Sequence, residues 1–178
     1  IVAKYPKDKQ QSAVMALLYI AQKQNDNWIP LAAMKYIAKF LDMPYIKVYE
    51  VATFYSMYKQ EPTGKYLLSV CKSISCEINN SNSIINIVKD FTGLNSSETD
   101  EDGLFTFEAV ECIGACGGAP AMQVNYETVE GLSSENTLNL CEWLKNETPD
   151  LVVADELQNK FGGTKSVSYT HLTLPTKD

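Results

Sequence analysis

The sequence predicts an α+β protein in which an N-terminal three-helix bundle precedes a small α/β domain. Apolar residues in about the first 60 positions recur at the three- and four-residue spacing of buried helix faces. After the turn-type segment Glu61-Pro-Thr-Gly64, the pattern changes to the alternation that is typical of strands. Two cysteine pairs each follow one of these predicted strands, which places the candidate chemistry in the second half of the chain.

Three helices are predicted in the bundle, each from one apolar face. Their predicted buried positions are Val14, Leu17, Leu18 and Ala21, then Leu31, Met34, Ala38 and Leu41, then Val48, Val51, Phe54 and Tyr55. The polar segment 24–27 ends the first helix, Pro30 suits the first turn of the second, and Pro44 precedes the third. Because helices this short are not stable alone, we expect them to pack together.

The second half has the order β-α-β-β-α, which predicts a small sandwich of one sheet and its helices. The predicted elements are a strand from Tyr66 to Val70, a helix over Ile78 to Phe91, an acidic surface loop from Asn95 to Gly103, strands over Phe105 to Ala109 and Ala121 to Val124, and a last helix that Ser133 or Ser134 caps and that buries Leu138, Cys141 and Leu144.

These patterns divide the chain into four segments. We predict a helical bundle over residues 1–61, a cysteine-bearing α/β domain over 62–148 and a loosely held extension over 149–165. Residues 166–178 are interpreted as a non-native tail, because the run VSYTHLTLPT resembles the translation of a transposase-type sequencing adapter. His171, the only histidine, lies in that tail and is expected to carry no function.

Composition excludes several classes of protein. Hydrophobic residues make up 45% and charged residues 21%, which indicates a globular chain, and no apolar run reaches the roughly 18 residues of a membrane-spanning helix. A net charge of −7 disfavours nucleic acid as a partner. An odd number of cysteines without a visible secretory signal disfavours a secreted disulfide scaffold.

Four cysteines form the spacing Cys71-x4-Cys76, then 35 residues, then Cys112-x3-Cys116. Structural zinc sites prefer knuckles with two intervening residues, and plant-type ferredoxins space their ligands differently again. The spacing favours an iron–sulfur cluster over structural zinc and over redox disulfides, but it leaves all three open.

The residues around the cysteines suit a cluster, because main-chain N–H groups that approach the sulfurs stabilise their negative charge. Small residues surround the second pair, and hydroxyl groups of Ser73 and Ser75 are candidate donors near the first pair. Lys72 is the only cation inside either cysteine loop. The small residues of the second loop are Gly114, Ala115, Gly117 and Gly118.

Three motifs together resemble the NuoE family of complex I, the NADH:quinone oxidoreductase. They are Tyr49-Glu-Val-Ala-Thr-Phe-Tyr55, Pro62-Thr-Gly-Lys-Tyr66 with Val70-Cys71, and Glu111-Cys-Ile-Gly-Ala-Cys116-x-x-Ala-Pro120. The resemblance runs from about residue 3 to residue 145. Related subunits occur in NAD(P)-linked hydrogenases and formate dehydrogenases, which are therefore the first alternative. A zinc-stabilised adaptor without a redox role is the second.

The resemblance implies a thioredoxin-like ferredoxin domain after the helical bundle. It also implies one [2Fe–2S] cluster on Cys71, Cys76, Cys112 and Cys116, close to the FMN of an NADH-binding flavoprotein subunit of the NuoF type. Such a subunit transfers electrons, is not catalytic alone and assembles with further complex I subunits. It would lie peripherally on the cytoplasmic face of a bacterial membrane, or on the mitochondrial matrix side. The absence of a G-x-G-x-x-G or P-loop stretch agrees with NADH and FMN binding to the partner.

The loop around Cys76 departs from the family pattern. Many relatives have Pro before this cysteine and Gly shortly after it, whereas this chain has Ser75 before it and no glycine nearby. We expect Asn79 or Asn80 to adopt the left-handed conformation that glycine would otherwise supply.

Other reactive or aromatic residues are predicted to be structural. Cys141 is expected to be a buried small hydrophobe. The aromatic residues Tyr49, Phe54, Tyr55 and Tyr58 are expected to form core and a partner-docking surface rather than an electron relay. The carboxylates Glu98, Asp100, Glu101 and Asp102 are expected to form a solvated loop rather than a cation site.

Overall fold

The computed structural model describes residues 1–166 of the 178-residue chain. The chain divides into two compact units, the first over Ile1–Thr63 and the second from Gly64 onward. Residues 167–178, which include most of the predicted tail and His171, lie outside the described residues. No helix within residues 1–166 is long and apolar enough to cross a membrane.

The first unit consists of three α-helices, α1 (Val14–Gln24), α2 (Leu31–Phe40) and α3 (Tyr45–Phe54), preceded by two short 3₁₀ turns. Pro30 and Pro44 stand immediately before α2 and α3, where a missing N–H group breaks no helical hydrogen bond. The side chain of Gln22 ties the bundle together, because it donates to the carbonyl of Met57 and accepts from the N–H of Lys59. The sequence pattern did not identify this buried polar residue.

Most of the predicted bundle core is confirmed. The confirmed residues, which are buried together, are Val14, Leu18, Met34, Ala38, Leu41 and Val48. The prediction that Leu31, Phe54 and Tyr55 are buried is wrong: all three are exposed, because each lies at an end of its helix.

Tyr58 belongs to the core of the first unit. It is buried, and its hydroxyl donates to the carbonyl of Met15 at 2.8 Å. Burial raises the pKa of Tyr58 to about 12, because the charged phenolate is disfavoured away from water. This aromatic residue is therefore core, as predicted.

The second unit is built on a five-stranded sheet of order β2-β3-β1-β4-β5. Its strands are β1 (Tyr66–Cys71), β2 (Glu98–Thr99), β3 (Phe105–Val110), β4 (Ala121–Val124) and β5 (Glu127–Glu130). Only β1 and β3 are parallel; the other pairs within the described residues are antiparallel. The prediction included three of these strands and missed β2 and β5. β5 contains two glutamates, and its polar composition hides the strand pattern.

Four helices accompany the sheet: α4 (Ile74–Ile78), α5 (Ser81–Thr92), α6 (Ser134–Glu147) and α7 (Ala154–Phe161). The single helix predicted over residues 78–91 is therefore displaced, and Asn80, with φ of 67°, separates α4 from α5. Ser133 caps α6 by accepting the N–H of Asn136. Cys141 and Leu144 are buried in this helix as predicted, but Leu138 is exposed, so that part of the prediction is wrong.

Alternate residues of β1 point to opposite faces of the sheet, as the pleat requires. Tyr66, Leu68 and Val70 pack into the main core with residues of α5, α6 and α7. Cys71 has the opposite phase and belongs to a separate small cluster with Cys76. The cysteine site is therefore on the other side of the sheet from the main core.

The segment 149–165 is not a loosely held extension, and that prediction is wrong. Leu157 is fully buried and Phe161 nearly so, and the ring of Phe161 packs against Trp143 at 5.6 Å between centroids. The hydroxyl of Tyr66 donates to the carbonyl of Pro149 at 2.6 Å. The pattern escaped detection because α7 is only eight residues long and carries few apolar positions.

The acidic loop before β3 is exposed, in agreement with the predicted solvated loop. Asp100 has a structural role within it: its carboxylate accepts the N–H groups of Leu104 at 2.7 Å and Phe105 at 3.1 Å. Glu98 accepts the N–H of Asn95 at 2.6 Å. These carboxylates therefore stabilise the turn that leads into β3.

Candidate metal centre

The two cysteine pairs leave the sheet at the same edge. β1 and β3 run parallel with Cys71 aligned to Val110, so Cys71 ends one strand and Cys112 follows the other by two residues. The carboxyl ends of neighbouring parallel strands meet at one edge of a sheet, which is where α/β proteins commonly place ligands. Two cysteines that are distant in the sequence are thereby brought together.

The first pair is buried. Cys71 ends β1, and Cys76 lies in α4; both are 2% exposed, and their thiols are within hydrogen-bonding distance of each other. The main-chain N–H of Ala121 donates to the sulfur of Cys76. Burial, followed by the contact with Cys71, raises the pKa of the Cys76 thiol to about 11. A positively charged metal at these sulfurs would offset this burial penalty for the thiolates.

The second pair is exposed. The sulfurs of Cys112 and Cys116 are 3.4 Å apart and not bonded to each other. The N–H of Gly114 donates to the sulfur of Cys112 at 3.4 Å, and this contact is the main cause of a lowered Cys112 pKa. The hydrogen bond from Cys112 is the main cause of a raised Cys116 pKa. Gly114 has φ of +84°, a conformation that points its N–H towards sulfur and that other residues rarely adopt.

The two pairs lie close enough to interact. Cys116 contributes electrostatically to the raised pKa of Cys76, and Cys71 contributes in the same way to that of Cys116. The side chain of Ser75 hydrogen-bonds Cys116, which confirms one of the two predicted hydroxyl donors. Ser73, the other predicted donor, instead donates to the carboxylate of Glu111 at 3.0 Å.

Glu111 links the two cysteine loops. It follows β3 directly, and it accepts from Ser73 and pairs with Lys72 at 3.4 Å, both of which follow β1. The Ser73 hydrogen bond, followed by Lys72, lowers the pKa of Glu111. Since all these groups are largely exposed, the link guides loop geometry rather than supplying much stability.

Small residues fill the space around the buried thiols. Ala115 and Ala121 are buried against Cys71 and Cys76, with Ile113 and Ala119 packed at the edge of this cluster.

Cys141 is remote from the other four cysteines. It lies in the main core and is fully buried, and burial raises its pKa to about 12. The prediction that Cys141 is structural is confirmed.

A family model for the thioredoxin-like [2Fe–2S] ferredoxin matches residues 1–145. The chain belongs to the thioredoxin-like [2Fe–2S] ferredoxin family. The predicted fold class is thereby confirmed, including the thioredoxin-like domain after the helical bundle. The cofactor of this ferredoxin is a [2Fe–2S] cluster.

Curated relatives match most of the ferredoxin chain. It is 41% identical over 147 residues to the NuoE-type component of the NADH-quinone oxidoreductase of Rickettsia felis, a match that covers 83% of this chain and 88% of that protein. It is also 41% identical over 149 residues to the mitochondrial NADH dehydrogenase [ubiquinone] flavoprotein 2 of Dictyostelium discoideum, a match that covers 84% of this chain and 60% of that protein. The resemblance to the NuoE family is confirmed.

Solved structures share the fold at lower identity. A chain of an NAD+-reducing [NiFe]-hydrogenase in the air-oxidised state superposes with a TM-score of 0.68 at 18% identity and covers 92% of this ferredoxin. The H2-reduced state gives a TM-score of 0.66 at 17% identity and covers 77%. This ferredoxin spans only 28% and 23% of those hydrogenase chains, respectively.

The donor groups of this ferredoxin fit a dinuclear cluster. Within residues 1–166, no group of three or more His, Cys, Asp or Glu side chains is arranged to hold a single metal ion; the sulfurs are present as two pairs. A [2Fe–2S] cluster takes four cysteine ligands, two on each iron. Two pairs of thiols with main-chain donors from Gly114 and Ala121 meet that need.

Proposed function

We propose that Cys71, Cys76, Cys112 and Cys116 are the four cluster ligands, with one pair on each iron. The observation that carries this assignment is the meeting of two contacting thiol pairs at the edge where β1 and β3 end. Thiolates are the usual ligands of such clusters. The fifth thiol, Cys141, is excluded by its position in the main core.

The residues of this chain hold and shield the site rather than perform acid–base chemistry. The N–H groups of Gly114 and Ala121 point at sulfur and stabilise its negative charge. Ala115 and the sheet cover the first pair, while the second pair faces the surface. When bound, the cluster supplies the exchange of single electrons. Exposed sulfurs on one side of the site give a partner protein close access for that exchange.

We infer that the protein is an electron-transfer subunit of NADH:quinone oxidoreductase and exchanges electrons with FMN on a flavoprotein of the NuoF type. Identity of about 40% to NADH-quinone oxidoreductase components over most of both chains supports this parent complex. The equivalent role in an NAD+-reducing hydrogenase has support from the shared fold alone. The protein would lie peripherally at the inner face of a bacterial membrane or on the matrix side in mitochondria.

Electron paramagnetic resonance tests the assignment. The anaerobically purified protein, reduced with dithionite, is expected to give one S = 1/2 signal and to contain about two iron atoms per chain. A colourless protein loaded with zinc would instead support the structural adaptor. The isolated chain is expected not to oxidise NADH with ferricyanide, and activity should require the flavoprotein. NADH oxidation by the isolated chain would contradict its role as a subunit that is not catalytic alone.

The outer face of α4 is expected to contact the flavoprotein. Ile74 and Ile78 are 75% and 77% exposed on the helix that carries Cys76, and exposed apolar side chains beside a redox site are suited to a protein interface. Replacing both with serine is expected to weaken binding to the flavoprotein by about tenfold or more, measured by calorimetry or co-purification. The cluster signal should be unchanged.

Leu151→Ser is the matched control for this surface. Leu151 is 73% exposed in the same unit but lies between α6 and α7, away from both cysteine loops in the sequence. Its replacement should leave the affinity within about twofold of the unmodified protein. Equal losses of affinity in both variants would argue against α4 as the contact.

A further inference from the structure

A buried carboxylate stands at the end of β5. Glu130 is 3% exposed, and Ser166 donates to both of its carboxylate oxygens. The main-chain N–H of Ser166 donates to Oε2 at 2.6 Å, and the Ser166 hydroxyl donates to Oε1 at 3.2 Å. Glutamate is rarely this buried, and its burial requires hydrogen-bond donors such as these.

The main chain of Glu130 is held by the same C-terminal segment. Its N–H donates to Oε1 of Gln158 at 2.9 Å, and Nε2 of Gln158 donates back to the Glu130 carbonyl at 3.1 Å. The N–H of Gly163 donates to that carbonyl as well, at 2.8 Å. Residues 158–166 therefore enclose Glu130 on its main-chain and side-chain sides. We call this arrangement the Glu130 clamp.

The Glu130 clamp packs directly against the loop of the second cysteine pair. Gly118 ends the 3₁₀ turn Cys116–Gly118, and its carbonyl accepts the N–H of Gly131 at 2.5 Å. A Cβ atom added at Gly118 would overlap the Glu130 carboxylate and would come within 2.8 Å of the Thr164 carbonyl oxygen. Because Gly118 has no side chain, the clamp contacts the main chain of the turn, and displacement of one displaces the other.

We propose that Glu130 is a positioning residue for Cys116 and acts through residues 162–166. The inference rests on Cys116 being a cluster ligand, as proposed above. It extends beyond the family match, which ends at residue 145, because the donors to Glu130 come from Gln158, Gly163 and Ser166. An exposed ligand loop needs such support, because ligand geometry is set by the groups behind it.

The variant Glu130→Ala removes both carboxylate acceptors and leaves space beside Gly118. Glu127→Ala is the matched control, since Glu127 begins the same strand and is only half-buried. In the cluster-free protein, the Gly118 amide, which donates to Ala115, is expected to exchange hydrogen about tenfold to a hundredfold faster in Glu130→Ala. In the cluster-loaded protein, the electron paramagnetic resonance signal should broaden and decay in air about tenfold faster.

Glu130→Gln is expected to restore both properties, because its amide oxygen accepts from the Ser166 N–H and its amide nitrogen donates to the Ser166 hydroxyl. If Glu130→Ala does not fold, Gln158→Ala provides the same comparison with the carboxylate intact. Exchange and spectra equal to those of Glu127→Ala would overturn the proposal. Absence of any cluster signal in the unmodified protein would instead contradict the proposed function, while hydrogen exchange would still test the clamp.

Discussion

Cys76→Ser is expected to eliminate the cluster. Cys76 is 2% exposed, so neither water nor another side chain has access to replace the missing sulfur. A serine hydroxyl does not ionise near neutral pH and is a poor substitute for a thiolate ligand. We expect iron content to fall from about two atoms per chain to near zero, and the reduced-state signal to disappear. Iron analysis and electron paramagnetic resonance on anaerobic protein measure both.

Cys112→Ser is expected to have a milder effect, because Cys112 is exposed and solvent is available to the iron. It should give a weakened cluster with an altered spectrum. The order of severity therefore tests the geometry of the site and not only its set of ligands. Complete loss in Cys112→Ser together with retention in Cys76→Ser would contradict the arrangement of one buried and one exposed pair.

Cys141→Ala is the control for both ligand variants. It removes a fully buried sulfur from the same unit, but from the main core rather than from the thiol cluster. We expect a loss of about 1 kcal/mol in the free energy of unfolding and a normal cluster signal. Loss of the signal in this variant would show that the ligand set is wrong.

Phe107→Ala is expected to have the largest effect on stability. Phe107 is fully buried in the centre of β3, aligned with Leu68 of β1, and β3 leads into the second cysteine loop. Removing a buried phenyl group destabilises proteins by about 3–5 kcal/mol, whereas a whole domain is stable by only about 5–15 kcal/mol. Urea unfolding of the cluster-free protein should show this loss as a lower midpoint with an unchanged slope.

Leu151→Ala is the control for Phe107→Ala. Its side chain is exposed, so removing it should change the free energy of unfolding by no more than about 0.5 kcal/mol. A loss below about 1 kcal/mol in Phe107→Ala would mean that the core around β3 is not packed as described.

Local sequence patterns were sufficient where one element decides the outcome. The apolar spacing predicted α1 and its buried residues Val14 and Leu18, because a helix buries one face whatever it packs against. Asn80 was one of two candidates for the left-handed position, since asparagine tolerates that conformation better than most residues. Errors at Leu31 and Phe54 arose at helix ends, where periodicity continues but packing does not.

The cysteine spacing by itself determined that two thiol pairs follow two strands, and it favoured iron over zinc without deciding between them. Tertiary structure decided the rest. Parallel pairing of β1 and β3 brings Cys71 and Cys112 to one edge, because strand partners are chosen by long-range hydrogen bonds. It also decided that Glu130 is buried, since the donors to its carboxylate lie 36 residues away and no local pattern records them.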